Sequence, residues 1–117
     1  MSAAFTLEAS ASLGASIHID RYRHRNGMTA ILCRDPSTPL VAVQTWYRVG
    51  SANEKPGQTG IAHLFEHLMF QPTIEVEAGE FDRLIEEHGG DCNAATWVDW
   101  TSYSITLPAS ELELALR

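Results

Sequence analysis

His63-Leu64-Phe65-Glu66-His67 places two imidazoles four residues apart, with a carboxylate between them. On a helix, positions i, i+3 and i+4 share one face, so this spacing points His63, Glu66 and His67 the same way. The flanks are apolar, Ile61-Ala62 before the motif and Leu68-Met69-Phe70 after it. Ile61, Leu64, Phe65 and Leu68 are expected to cover the rest of a buried helix. A carboxylate beside two imidazoles in such surroundings is costly without a partner. A zinc ion has suitable chemistry for that partner. Neutral imidazoles are ordinary zinc ligands, and a nearby carboxylate can act on the water that the metal activates. Taken without its flanks, the same spacing also fits core or surface histidines next to a solvated glutamate.

Turn and period signals outline the elements that must position these groups. Residues 1–16 are rich in Ala and Ser and read as a flexible lead-in, leaving 17–117 as the folded portion. Residues 17–24 and 28–34 read as strands flanking Arg25-Asn26-Gly27, a strong hairpin signal because Asn and Gly tolerate positive φ. Residues 40–49 form a long strand, apolar on both faces at its start, which suggests a central, buried position. The motif helix is expected from a Thr59 cap to about Phe70, stopping at Gln71-Pro72. A second helix carries Phe81, Leu84, Ile85 and His88 on one face and ends at Gly89-Gly90. His88 is expected to cap its C-terminus, where an imidazolium suits the helix dipole. Residues 93–97 and 101–107 read as strands, the second alternating Thr101, Tyr103, Ile105 and Leu107 against Ser102, Ser104 and Thr106. Ser110-Glu111-Leu112-Glu113 has the pattern of a capping box, so a last helix is expected to begin there and to be cut at Arg117. The mixture predicts an α+β fold: an antiparallel-rich mixed sheet, helices packed on one face, and a domain that is incomplete.

Composition narrows the function classes. Among 117 residues, 44% are hydrophobic and 20% charged, an ordinary folded composition. The net charge of -7 and the single lysine, Lys55, argue against nucleic acid and anionic membrane as partners. No basic start followed by an apolar stretch marks a signal peptide, and no run is long enough to span a membrane, so a cytoplasmic location is expected. Cys33 and Cys92 form no CxxC pair and read as reduced, half-buried strand residues. Trp46, Trp97 and Trp100 read as packing residues.

The flanks add specificity. Gly60-Ile61-Ala62 leads into the motif, and Gly89-Gly90-Asp91-Cys92-Asn93-Ala94-Ala95-Thr96 follows downstream. With the Asn26-Gly27 hairpin and the Gly50/Glu54 connector, these segments resemble, in the right order, the inverted-motif zinc peptidases. That family includes pitrilysin, insulin-degrading enzyme and the mitochondrial processing peptidase. The resemblance implies a zinc metalloendopeptidase acting on peptides or unfolded polypeptides. His63 and His67 would be metal ligands and Glu66 the general base. Asn93, Ala94 and Ala95 would lie on a strand to which substrate adds by main-chain hydrogen bonds. The family's glycine-threonine pair after the motif helix is Pro72-Thr73 here.

A further departure is the third zinc ligand. In the family it is a glutamate on a later helix, beyond residue 117. Asp91, Asp99, Glu111, Glu113, Cys92 and His88 are the local acids, thiol and imidazole, and none matches it. The isolated chain is therefore expected to be inactive or weakly active and to need the missing part of its domain or a partner chain. The alternative reading is a non-catalytic scaffold or subunit fragment that requires such a partner.

Overall fold

The computed structural model describes residues 4–116, and the chain divides into two units, one ending at Pro39 and the other starting at Leu40. The first unit is an antiparallel meander of β1 (Phe5–Leu13), β2 (Ile17–His24) and β3 (Thr29–Arg34). Residues 5–13 were expected to be part of a flexible lead-in; instead they pair along β2, from Phe5 opposite His24 to Leu13 opposite Ile17. Cross-strand polar contacts help to hold β1. Ser10 donates to Asp20 at 2.5 Å, Glu8 pairs with Arg23 at 3.1 Å and Arg21 at 3.2 Å, and the Phe5 and His24 rings lie 4.7 Å apart. Residues 1–3 of the expected lead-in lie outside the described residues.

The β2–β3 hairpin forms where the Asn-Gly pair predicts it. Gly27 takes the positive φ of +94°, while Asn26 stays at negative φ and its side chain accepts the Met28 N–H at 3.0 Å. Cys33 on β3 is exposed rather than half-buried, and both cysteines are free thiols.

The second unit holds a three-stranded antiparallel sheet in the order β4 (Leu40–Tyr47), β6 (Thr101–Pro108), β5 (Asp91–Thr96). β6 is therefore central. The expected central position of β4 does not hold among the described residues, because β4 pairs only with β6 and lies at an edge. The sheets are antiparallel throughout, which settles the mixed-sheet expectation in favour of its antiparallel part.

Helices α1 (Ile61–Leu68) and α2 (Glu80–Glu87) pack on β5, and the short α3 (Leu112–Ala115) packs on β6. On β6, Thr101 and Leu107 are buried at 4% and 0% exposure on the face expected from the sequence, while residues 102–106 are half-buried on both faces. Among the described residues, Ile85 of α2, at 2%, is the other buried large apolar side chain. Gly89 at φ +74° and Gly90 close α2, with Gly90 N–H donating to the Ile85 carbonyl and Gly89 N–H to Glu86, both at 2.9 Å. A side chain at Gly90 would meet Leu107 Cδ2 at 2.2 Å, so the glycine lets α2 turn directly into β5 against the centre of the sheet. Near the chain's end, a 3-10 turn at Ala109–Glu111 precedes α3, and Ser110 bonds the Glu111 side chain at 3.3 Å instead of forming the expected capping box.

Candidate metal centre and active site

Helix α1 starts without help from Thr59. Its N-cap is Gly60, in the left-handed region at φ +88° and without a capping side chain. The Glu54 carboxylate fills that role from the preceding connector, accepting the Gly60 N–H at 2.8 Å and the Ala62 N–H at 2.9 Å. The Ala62 bond, followed by the Gly60 bond, holds Glu54 below its ordinary carboxylate pKa. At the far end the helix stops at Leu68. Thr73 then closes a turn, its hydroxyl accepting Glu75 N–H at 3.2 Å and Val76 N–H at 3.1 Å.

Within α1 the structure brings the two imidazoles together. His63 Nε2 and His67 Nε2 are 3.1 Å apart, with their ring centroids at 4.5 Å. Two nitrogens bound to one tetrahedral zinc at about 2.0–2.1 Å would be separated by about 3.3 Å. The pair therefore fits a divalent cation that takes imidazole ligands. A single shared proton satisfies the same pair without metal. Among the described residues, no group of three or more His, Cys, Asp or Glu side chains is placed to hold a metal ion.

Burial on α1 differs from the sequence expectation. Both histidines are exposed, as are Ile61, Leu64, Phe65 and Leu68, with Phe65 at 62%. Glu66 is the buried member of the motif, at 8% exposure. The reason lies on β5. The Thr96 hydroxyl donates to Glu66 Oε2, and this contact turns the carboxylate toward the sheet. The apolar side of the helix faces a cleft of about 480 Å³ lined by Tyr47, Ile61, Phe65, Met69 and Tyr103. Burial first, and then the Glu66 charge, raise the Tyr103 phenol above its ordinary pKa.

A second cleft, about 380 Å³, is lined by Glu66 and His67 on α1, Asp82 and Glu86 on α2, and Asp91 to Ala94 on β5. Cys92 Sγ lies 3.5 Å from Asp82 Oδ1 in this cleft. Burial, then the hydrogen bond and charge of Asp82, push its thiol up to about 11, which disfavours the thiolate a metal needs at neutral pH. His88 caps α2 as expected, its Nδ1–H donating to the Leu84 carbonyl at 2.8 Å. Trp46 and Trp100 pack against each other at 4.8 Å.

The register of β5 sorts the expected substrate-strand residues. The Trp97 N–H bonds the Trp100 carbonyl at 2.8 Å, which closes the β5–β6 turn with a hydrogen-bonded pair. Alternation then makes Ala95–Ser102 and Asn93–Ser104 hydrogen-bonded pairs and turns the main-chain groups of Cys92, Ala94 and Thr96 to the open edge. The Ala94 N–H agrees, because it bonds the Asn93 side-chain oxygen at 2.8 Å and not β6. Of Asn93, Ala94 and Ala95, Ala94 is thus the residue whose backbone faces the open edge. Cys92 was not expected as an edge residue, because no sequence signal fixes which half of an alternating strand faces outward.

Comparisons with known proteins give the family and the fold. Residues 29–117 match the family model described as Insulinase (Peptidase family M16). The chain is 38% identical over 114 residues to the zinc protease PqqE of Helicobacter pylori, covering 91% of the chain and 26% of that protein. An uncharacterized zinc protease of Bacillus subtilis, YmxG, is 35% identical over 85 residues, covering 73% and 21%. The crystal structure of a protease from Helicobacter pylori superposes with a TM-score of 0.67 at 34% identity, over 95% of the chain and 24% of that structure. Pitrilysin superposes at 0.84 with 22% identity, over 97% and 12%, a likeness of fold alone. The chain spans about a quarter or less of the length of these relatives.

Proposed function

Because the chain belongs to the insulinase family of peptidases, M16, in which its relatives are zinc proteases, we propose that it carries two metal ligands and the general base of a zinc metalloendopeptidase. His63 and His67 hold the metal through Nε2. The third ligand comes from polypeptide outside residues 4–116. Zinc, when bound, acidifies a coordinated water and polarises a peptide carbonyl. Glu66 would serve as the base that takes a proton from the attacking water and passes it to the leaving amine. Its Oε2 is engaged by Thr96, which leaves Oε1 for the transfer.

The substrate is an extended peptide or unfolded segment that adds to β5 through the outward N–H and C=O of Ala94 and its edge neighbours. Main-chain recognition of this kind tolerates many side chains. The observation that carries the reading is the convergence of the two imidazole nitrogens at 3.1 Å on the helix that also holds the buried Glu66. The test compares two variants in the complete enzyme. Glu66→Gln is expected to keep zinc and lose at least about a hundredfold in turnover, while His67→Ala loses both. Unchanged turnover in Glu66→Gln would remove Glu66 from the role of base.

A further inference from the structure

We propose that Thr96 is the positioning residue for Glu66, coupling the peptide-binding edge of β5 to the proton-transfer group of α1. The inference rests on the role given to Glu66 above. A carboxylate at 8% exposure needs a donor, and the Thr96 hydroxyl provides it at Oε2. Holding one oxygen fixes the plane of the carboxylate and so the direction of Oε1.

The hydroxyl is itself constrained. Thr96 faces Thr101 across a non-hydrogen-bonded pair, where side chains approach most closely, and the two hydroxyl oxygens are 3.5 Å apart. Thr101 is buried and donates to the Val49 carbonyl at 2.9 Å. That shorter bond takes the one proton of Thr101, and Thr96 donates its own to the nearer Glu66 carboxylate, which has no proton to offer in return. As a β-branched residue in a strand, Thr96 has restricted χ1 freedom, which limits the directions its hydroxyl can take.

The main chain of the same residue points the other way. The register places the N–H and C=O of Thr96 on the open edge, two residues beyond Ala94. A peptide strand laid along that edge would hydrogen-bond the backbone of the residue whose side chain holds the base. Binding and proton transfer would then share one rigid element, with no loop between them.

Two measurements test this. The first uses the metal-free complete protein and does not depend on catalysis. Thr96→Val, which keeps shape and removes the hydroxyl, is expected to lower the urea unfolding midpoint of the parent chain but not of a Glu66→Leu chain. Equal shifts in both backgrounds would overturn the contact. The second uses the zinc-loaded complete enzyme. Thr96→Val is expected to reduce kcat by about ten- to a hundredfold, with KM and zinc content within about twofold, because a small misplacement of a catalytic group carries that scale of loss. Thr96→Ser, which restores the hydroxyl, is expected to return kcat to within about threefold of the parent. If Thr96→Val does not fold, Thr96→Ser against Thr96→Ala decides, and equal kcat in those two rejects the proposal. Loss of turnover in Glu66→Gln together with parental kcat in Thr96→Val rejects the positioning role alone. Parental turnover in Glu66→Gln rejects the base itself, and the unfolding comparison then still judges the contact.

Discussion

Glu54 Oε1 accepts the Ala62 N–H at 2.9 Å, so the helix that carries both imidazoles is capped from outside itself, eight residues back. Helix α1 has no acidic residue in its first turn, and Gly60 brings no side chain. Glu54 therefore supplies both the acceptor and the negative charge that a helix N-terminus favours. Its bonds to Ala62 and then Gly60 lower its pKa from the ordinary 4.5. A depressed folded value stabilises the fold fully above the unfolded value, and this stabilisation is lost as pH falls through the lower folded value. Glu54→Gln is expected to lower the melting temperature by a few degrees at pH 7 and by progressively less below about pH 4.5. Thermal unfolding across pH 3 to 7 checks it, and a difference that did not shrink toward acid would point to lost packing instead.

Ala94 presents its N–H to the open edge of β5, where the Asn93 side chain accepts it at 2.8 Å. Proline is tolerated in a sheet where its missing N–H faces outward and is disruptive where that N–H bonds a neighbouring strand. Ala94→Pro is therefore expected to raise KM for peptide by about tenfold, the scale of one lost hydrogen bond, with little change in zinc content. Ala95→Pro removes an N–H directed at β6 and is expected to lower stability clearly. Clear destabilisation by Ala94→Pro with Ala95→Pro tolerated would show the register to be shifted by one.

Local patterns carried well into the structure, and long-range relations did not. The Asn26-Gly27 hairpin, the strand of β6 and the glycine end of α2 depend on residues a few positions apart, and each stands where the sequence places it. β1 was missed although Phe5 to Leu13 alternates apolar and polar residues, because the small Ala and Ser side chains of its second half carry little apolar signal and resemble a flexible lead-in; its pairing rests on partners in β2. The apolar start of β4 suggested a centre, yet strand order is set by the distant β6. At the site, helical spacing correctly brought His63 and His67 together. It could not tell that Glu66 is buried while the histidines are exposed, since that follows from Thr96, thirty residues away.

The two thiols should separate chemically. Cys33 is exposed, whereas Cys92 is partly buried beside Asp82 with its pKa pushed up to about 11. Thiolate is the reacting form, so a raised pKa suppresses reaction at neutral pH. At pH 8 an alkylating reagent is expected to modify Cys33 first, and the Cys92 rate should climb as pH approaches 11. Asp82→Asn removes the carboxylate charge and is expected to speed the labelling of Cys92 at pH 8. Peptide mapping of the modified cysteines reads both outcomes, and faster labelling of Cys92 than Cys33 at pH 8 would contradict the environment described.

The polypeptide 1–117 is expected to bind zinc weakly. Four-ligand structural sites in small peptides hold zinc with about 10–16 kcal/mol at neutral pH. Two imidazoles placed at 3.1 Å offer half such a ligand set, and no third His, Cys, Asp or Glu stands with them among the described residues. Half of that energy is about 5–8 kcal/mol, or dissociation constants of about 1–200 µM. Titration calorimetry is expected to find one zinc in that range, abolished by His63→Ala and by His67→Ala alike. The Glu66→Gln chain should bind as the parent does, because its carboxylate is directed to Thr96. Nanomolar one-to-one binding would mean that a third ligand lies within residues 1–117. If Glu66→Gln then lost that tight binding, Glu66 would itself be the ligand and could not serve as the base.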